Sequence, residues 1–478
     1  MRYDACIIGA GTEGLAAAAT LAGRGLKVAV LEREAQAGGR AATRQFHPGF
    51  HASPFADELP EIPADIFRAL DLARRGAILA PAPMSLALWP DRQSLFRGET
   101  GAEAQRRAVI ARALADADTA VSGGLFARRA PHAVWPGEAL AGRSLVEEAG
   151  EASDRDHLTA ALLGGRACDP ALGGSALQLL AGRPGGMVAG GLGRLGEALR
   201  SAALEAGAEI SCGLEVSDLK RKGGRVSGAG LADGSQIAAR AIISTLDLKR
   251  TFLSLFTWSE LPPALVERVG GFRPAPGMAR LLLALDAPPD LPAGTDTLAW
   301  RGPIHLSPGA PEEALAAWRR GALPKRPPAM LRLVSAVDPS LAPAGRATMT
   351  LTLGAIAHTP FDGPWTKDKR DALQALALAA VEEILPGTAR RVVGSELIVP
   401  PDIETMLGAT AGDLTGGAFD ADQMLGFRPF ADCSGARTPI EGLYLAGPSS
   451  ALGPLATCAS GVAAAHAVMA DFSAGRLR

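Results

Sequence analysis

Residues 1–40 read MRYDACIIGAGTEGLAAAATLAGRGLKVAVLEREAQAGGR, and this stretch decides the fold. Tyr3 to Ile8 is a short apolar run suited to a buried parallel strand. Gly9-Ala10-Gly11-Thr12-Glu13-Gly14 follows, with Ala18 four residues beyond the third glycine. Glu13 to Gly23, rich in Ala and Leu, predicts a helix. Leu26 to Leu31 predicts a second buried strand, ending at Glu32. Together they make a βαβ unit with a dinucleotide fingerprint in its proper context. Gly9 permits the tight turn, and Gly11 lets the backbone come close to a pyrophosphate. Gly14 and Ala18 let the helix pack close to the strands. Free N–H groups and the positive dipole end of the helix favour that anion, which draws Ala10, Thr12 and Glu13 into the same turn. Glu32, eighteen residues after Gly14, can accept hydrogen bonds from the adenosine ribose.

The next eight residues, Arg33 to Arg40 (REAQAGGR), place Gly38-Gly39-Arg40 just past the second strand. That extension resembles the glutathione-reductase-like FAD proteins, whose fingerprint continues into a Gly-Gly-Arg turn along the flavin side of the cofactor. An NAD domain has no need of a second glycine turn there. The resemblance implies FAD, with Arg33, Gly39 and Arg40 among its contacts.

A chain of 478 residues with apolar content near half has room for two or three domains' worth of structure. Its net charge of −2 is nearly balanced, and Lys220-Arg221-Lys222 beside Gly223-Gly224 reads as a hairpin tip. No nucleic-acid partner is expected. Cys6, Cys168, Cys212, Cys433 and Cys458 are scattered, with no C-x-x-C pair, which argues against a disulfide framework or a zinc site. The first strand begins at once, with no leader ahead of it, and no apolar run reaches the roughly 18 residues needed to span a bilayer. A cytoplasmic location follows as an expectation, with peripheral membrane contact left open and the oligomeric state undetermined.

Phe46 to Pro60 reads as a loop bordering the cofactor. His47 and His51 stand four apart, but Pro48-Gly49 between them forbids one helical face, so no metal is expected. Helices are predicted over Ala64 to Arg75, Gly101 to Ala117, Ser144 to Gly150 and Ser153 to Leu163, with proline-broken strand pieces over Ile78 to Trp89. Gly191, Gly193 and Gly196 repeat the fingerprint spacing, yet the preceding residues are too glycine-rich for a buried strand. Close packing at the start of a helix over Leu195 to Ala206 is the better reading than a nicotinamide site. Short strands are expected at 209–211, 216–220, 225–231, 237–239 and 241–245, then an apolar helix from Asp247. Met278 to Leu285, Met330 to Val337 and Ala347 to Leu353 predict a mainly antiparallel sheet. Lys367 to Leu385 predicts a long helix, residues 440–446 a buried strand, and Ala459 to Phe472 the last helix. The fold class is α/β: a Rossmann-like FAD-binding domain assembled from residues 1–80, 186–258 and 432–478. An inserted α+β substrate domain, with a helical insertion, takes 81–185 and 259–431.

Several blocks carry a wider likeness: the fingerprint with AGGRAAT, GGLGRLGEALRSAALEAGAEI, RAIISTLDLKRTF, VDPSLAPAGRAT, DQMLGFRP and RTPIEGLYLAG. In this order they resemble phytoene desaturase-like FAD-dependent oxidoreductases, closest to the pyridine nucleotide-disulfide oxidoreductase domain-containing protein 2 branch. The resemblance implies non-covalent FAD, a buried substrate channel before the flavin ring, and chemistry resting on the flavin without a universal acid or base. It places Val216 at the adenine, and Gly447, Leu455 and Ala456 at the flavin end. Two departures stand out. A glycine-rich loop after the Gly447 position is here Pro448-Ser449-Ser450-Ala451-Leu452-Gly453-Pro454, and a family histidine falls on Gly416.

The expected activity is an FAD-dependent dehydrogenase or desaturase. A hydride would pass from a largely apolar small molecule to flavin N5, and the electrons to oxygen or a quinone. No catalytic residue is assigned. A disulfide reductase would need a cysteine pair between Cys6 and Cys168, where there is none. A tyrosine-caged amine oxidase is disfavoured because Tyr3 and Tyr444, the only tyrosines, lie on nucleotide-domain strands. A flavin-dependent isomerase and a non-enzymatic FAD-binding protein stay as alternatives. Last, the segment Thr251 to Leu261 reads as a core helix whose Leu253 and Trp258 spread its apolar surface.

Overall fold

A computed structural model describes residues 2–80, 85–88, 90, 93–96, 144, 186–306, 311–424, 427–430, 433, 435–454 and 456–477. The βαβ unit is β1 (Arg2–Ile8), α1 (Thr12–Ala22) and β2 (Val28–Glu32). A hairpin of β3 (Arg44–His47) and β4 (Phe50–Ala52) follows, then α2 (Ala64–Ala69), β5 (Leu79–Ala80), β6 (Ser85–Leu88) and β7 (Gln93–Phe96). β8 (Met187–Val188) and α3 (Gly193–Glu205) lead to β9 (Glu209–Cys212), β10 (Val216–Lys222), β11 (Arg225–Leu231) and β12 (Gln236–Ser244). Next come α4 (Pro263–Gly271), β13 (Ala279–Leu285), β14 (Ile304–Leu306), α5 (Pro311–Arg319), β15 (Ala329–Arg332) and α6 (Val334–Val337). β16 (Ala347–Leu353), α7 (Lys367–Ile384), β17 (Val392–Ile398), α8 (Pro400–Leu407), β18 (Leu443–Leu445) and α9 (Ala459–Ser473) complete the order.

Among these residues there are two seven-stranded sheets. The first runs β10-β11-β12-β1-β2-β9, with β18 beside β12. Ile8 pairs with both Leu31 and Ser244, and Ser244 with Leu445, so four parallel strands end at one edge. Near that edge their runs, Ala5–Ile8, Val28–Leu31, Ala241–Ile243 and Leu443–Leu445, are apolar because a parallel sheet is covered on both faces. α1 lies between α3 and α9, and every α1 residue except Thr20 is buried, which its Ala-rich sequence permits.

The second sheet runs β17-β13-β16-β15-β14-β6-β7 and is antiparallel except for the β14–β6 pair. Its strands alternate. Leu281, Leu283, Met349 and Leu351 cluster with Leu373, Ala377 and Val381 of α7. Arg280, Thr348, Thr350 and Thr352 share the opposite face in register and are also buried.

The structure corrects several boundaries. The expected strands at 237–239 and 241–245 are one strand, β12, because β1 pairs along nearly its whole length. Residues 330–337 divide into β15 and the single turn α6. The helix from Ala64 stops at Ala69, where Asp71 takes φ 50°. The loop expected at 46–60 begins inside the β3–β4 hairpin of residues 44–52, turned by Gly49 at φ +82°. Thr251 to Leu261 is broken into a π-helical turn (Arg250–Ser254) and a 3-10 turn (Trp258–Glu260). The helices expected at 101–117, 144–150 and 153–163 lie outside the described residues, apart from buried Ser144.

Candidate functional site

The common edge where β1, β2, β12 and β18 end gathers most of the sequence-predicted residues. Gly9 turns the chain at φ +95°, and a Cβ there would lie 2.3 Å from Thr245 Oγ1. A Cβ on Gly14 would lie 2.0 Å from the Gly9 carbonyl oxygen. Both positions therefore admit glycine only. Gly11 differs: its Cβ would meet nothing closer than Gly39 Cα at 4.0 Å, so the backbone is left open on that side. The second glycine turn stacks on the first, with Gly38 N–H donating to Ala10 O at 2.8 Å. Gly11 is the N-cap of α1, and no side chain caps this helix. An uncapped helix N-terminus beside open glycine backbone is the donor set a pyrophosphate requires, so the residues present fit a bound dinucleotide.

Glu32 sits at the end of β2 with its carboxylate already oriented. Its Oε2 accepts Ala10 N–H at 2.7 Å and its Oε1 accepts Glu34 N–H at 3.0 Å. The segment leading to Val216 runs beside it, through Leu214 N–H to Glu32 O at 2.8 Å. Gly447 takes φ +87°, and a Cβ there would lie 2.5 Å from Thr245 O. Thr245 thus joins the glycine turns after β1 and β18. Sequence reasoning missed it, although the small polar residue ending the AIIS strand was a signal.

Glu13 turns away from the open side. Its buried carboxylate accepts Cys458 N–H at 2.7 Å, Ser460 Oγ–H at 2.7 Å and Gly461 N–H at 2.9 Å, at the N-terminus of α9. Burial raises its pKa above the ordinary glutamate range, while these three hydrogen bonds pull it back. Ser460 Oγ in turn accepts Gly447 N–H at 2.9 Å. Arg33 donates to the carbonyls of Thr405 and Met406, and Arg40 to that of Leu414 at 2.6 Å.

In the C-terminal loop Ala456 N–H donates to Leu452 O and Thr457 N–H to Glu61 O, both at 3.2 Å, so these donors are engaged within the protein. Leu455 lies outside the described residues. The segment 53–61 joins this loop to the second sheet. Asp57 holds Arg280 through both carboxylate oxygens (2.7 and 3.0 Å) and accepts Thr350 Oγ–H at 2.8 Å, all buried. Glu58 is ion-paired with buried Arg332. Asp57, with its three hydrogen bonds, is not a free base.

Gly191 and Gly193 press on Thr43, and a Cβ on Gly196 would lie 2.7 Å from Ala41 O. These glycines serve helix packing. No cluster of metal-ligating side chains occurs among the described residues.

Residues 4–272 match the family described as FAD dependent oxidoreductase. The chain is 28% identical to the rat pyridine nucleotide-disulfide oxidoreductase domain-containing protein 2, over 98% of its own length and 94% of that protein's. It is 24% identical to a neurosporene-forming phytoene desaturase of Rhodobacter capsulatus, over 93% and 89% of the two chains. An oxidoreductase structure from Methanosarcina mazei shares the fold, with a TM-score of 0.61 at 19% identity, covering 99% of this chain and all of that one. This protein belongs to the FAD-dependent oxidoreductase family: it is an enzyme, and FAD is its cofactor.

Proposed function

We propose that the enzyme is a dehydrogenase or desaturase that removes a hydride from a largely apolar organic substrate, with the electrons passing to oxygen or a quinone. FAD, when bound, supplies the two-electron acceptor. The chain's own residues bind and orient. Gly9, Ala10, Gly11, Thr12 and Gly14 face the pyrophosphate, Glu32 the ribose, and Val216 the adenine. Gly39 and Gly447, with Leu455 and Ala456, border the flavin half, while Glu13, Arg33 and Arg40 brace the surrounding chain. In this reading residues 1–80, 186–258 and 432–478 bind FAD, and 81–185 with 259–431 receive substrate.

The observation that carries the reading is the pairing of Asp57. This buried carboxylate, on the segment between glycine turns and second sheet, is held by Arg280 and Thr350, which favours chemistry resting on the flavin. Tyr3 and Tyr444 donate to Glu209 and Asp471, away from any aromatic cage. Anaerobic addition of substrate should bleach the flavin, and oxygen or a quinone should restore its colour. Conversion of substrate by reduced enzyme with no net flavin oxidation would instead favour an isomerase.

We also infer peripheral membrane contact. Among the described residues no helix is long and apolar enough to cross a membrane. Trp258, however, is 83% exposed, and Arg221 of the basic β10–β11 tip donates to Glu260 O beside it at 2.6 Å. An exposed indole next to Lys and Arg suits an anionic bilayer surface. Trp258→Ser should reduce co-sedimentation with anionic vesicles while FAD content holds. Equal sedimentation of variant and wild type would remove this contact.

A further inference from the structure

Residues 405–417 connect the end of α8 to the glycines before Ala418, and each of their anchors adjoins the cofactor crevice. Arg33, next to Glu32, donates through Nη2 to Thr405 O at 2.8 Å and Met406 O at 3.0 Å. Asp247, two residues past Thr245, accepts Thr410 N–H at 2.7 Å. Arg40, next to Gly39, donates to Leu414 O at 2.6 Å. At the far end Arg428 bridges Thr415 O (2.8 Å) and Pro448 O (2.9 Å), Pro448 being next to Gly447. Three cradle positions, Glu32, Gly39 and Thr245, are thus closely followed by a residue that grips this one segment, and a fourth, Gly447, is tied to it through Arg428.

The segment is shaped for that path. Asp413 folds it on itself, accepting the N–H groups of Thr415 (2.8 Å) and Gly417 (2.7 Å). Gly408, Gly412 and Gly416 take φ between +67° and +68°. Its root lies with the second sheet, where Asp402 of α8 is ion-paired to Arg370 of α7 at 2.6 Å.

We propose that residues 405–417 are a strap across the FAD crevice, anchored at both ends, and that FAD leaves only when the strap lifts. The proposal rests on the FAD reading above and adds positioning roles for Arg33, Asp247 and Gly416. The strap hydrogen bonds must break before release, and FAD enters through the same lifted state, so weakening the strap speeds release and uptake together.

The test is the rate at which holoprotein loses FAD to an excess of scavenging apoprotein, followed by flavin fluorescence. Arg33→Ala cuts the anchor at the adenosine end. Gly416→Ala removes no side-chain contact but sets a Cβ 2.6 Å from the Pro448 carbonyl carbon and the Ser449 nitrogen, lifting the other end. Losing charge-assisted hydrogen bonds should speed release roughly tenfold or more in Arg33→Ala, with uptake by apoprotein accelerated in the same sense. Gly416→Ala should speed release in the same sense, and the partly exposed Arg33 site keeps the test open if that variant does not fold. Normal FAD binding with unaltered release in both folded variants would overturn the strap. Wild-type protein that takes up no FAD would overturn the underlying reading.

Discussion

Glu32 illustrates how a single side chain can be set before its ligand arrives. Two backbone N–H groups hold its carboxylate at the end of β2. Glu32→Ala should therefore weaken FAD binding by about 1.5–3 kcal/mol, the worth of a hydrogen bond to a charged group. Titration of apoprotein with FAD measures it; an unchanged affinity would detach Glu32 from the ribose. Glu13 was legible only as part of a glycine turn, because its partners Cys458, Ser460 and Gly461 are more than 440 positions away. Its raised pKa has a definite sign. The folded state binds this proton more tightly than the unfolded chain, so the stabilisation is present below the ordinary glutamate value of 4.5 and is lost as pH rises through the folded pKa. Denaturant titrations across that window should fall less steeply with pH in Glu13→Gln than in the wild type. Parallel curves would contradict it.

At the scale of elements, the sequence pattern identified α1, β13, β16 and α7 to within about a residue at each end. It failed where one strand is paired in two halves. β12 is divided in sequence by Arg240 but continuous in space, since β11 and β18 take successive halves of one edge while β1 takes the other. The repeat of glycines at 191–196 was a matter of packing, and the deciding neighbours, Ala41 and Thr43, are about 150 residues earlier. Rapid mixing with NADH or NADPH should accordingly leave the flavin oxidised. Bleaching that disappears in a Gly193 variant would restore a nicotinamide site there. The segment 251–258 splits by side chain: Phe252, Leu255 and Phe256 are buried, while Leu253 and Trp258 are exposed. Phe256→Ala should cost about 3–5 kcal/mol of stability, whereas Trp258→Ala should stay within about 0.5 kcal/mol. Chemical denaturation of the two variants separates them; similar losses would place Trp258 in the core.

For the whole molecule, the first forty residues carried the cofactor because that site is built mostly of backbone, and glycine spacing records backbone. The second sheet was legible as strands, but its buried polar face was not. Arg280, Asp57, Arg332 and Glu58 come from three strands or loops, and nothing local pairs them. The strap at 405–417 escaped notice for the same reason: its anchors are side chains meeting distant carbonyls. What unites both sheets is the crevice at the carboxyl edge of β1, β2, β12 and β18, and the central claim is that FAD occupies it. The direct measurement is the flavin released when purified protein is denatured, identified and counted against protein. FAD approaching one equivalent per chain is predicted, from a yellow preparation. Colourless protein that takes up no FAD on reconstitution would contradict the account.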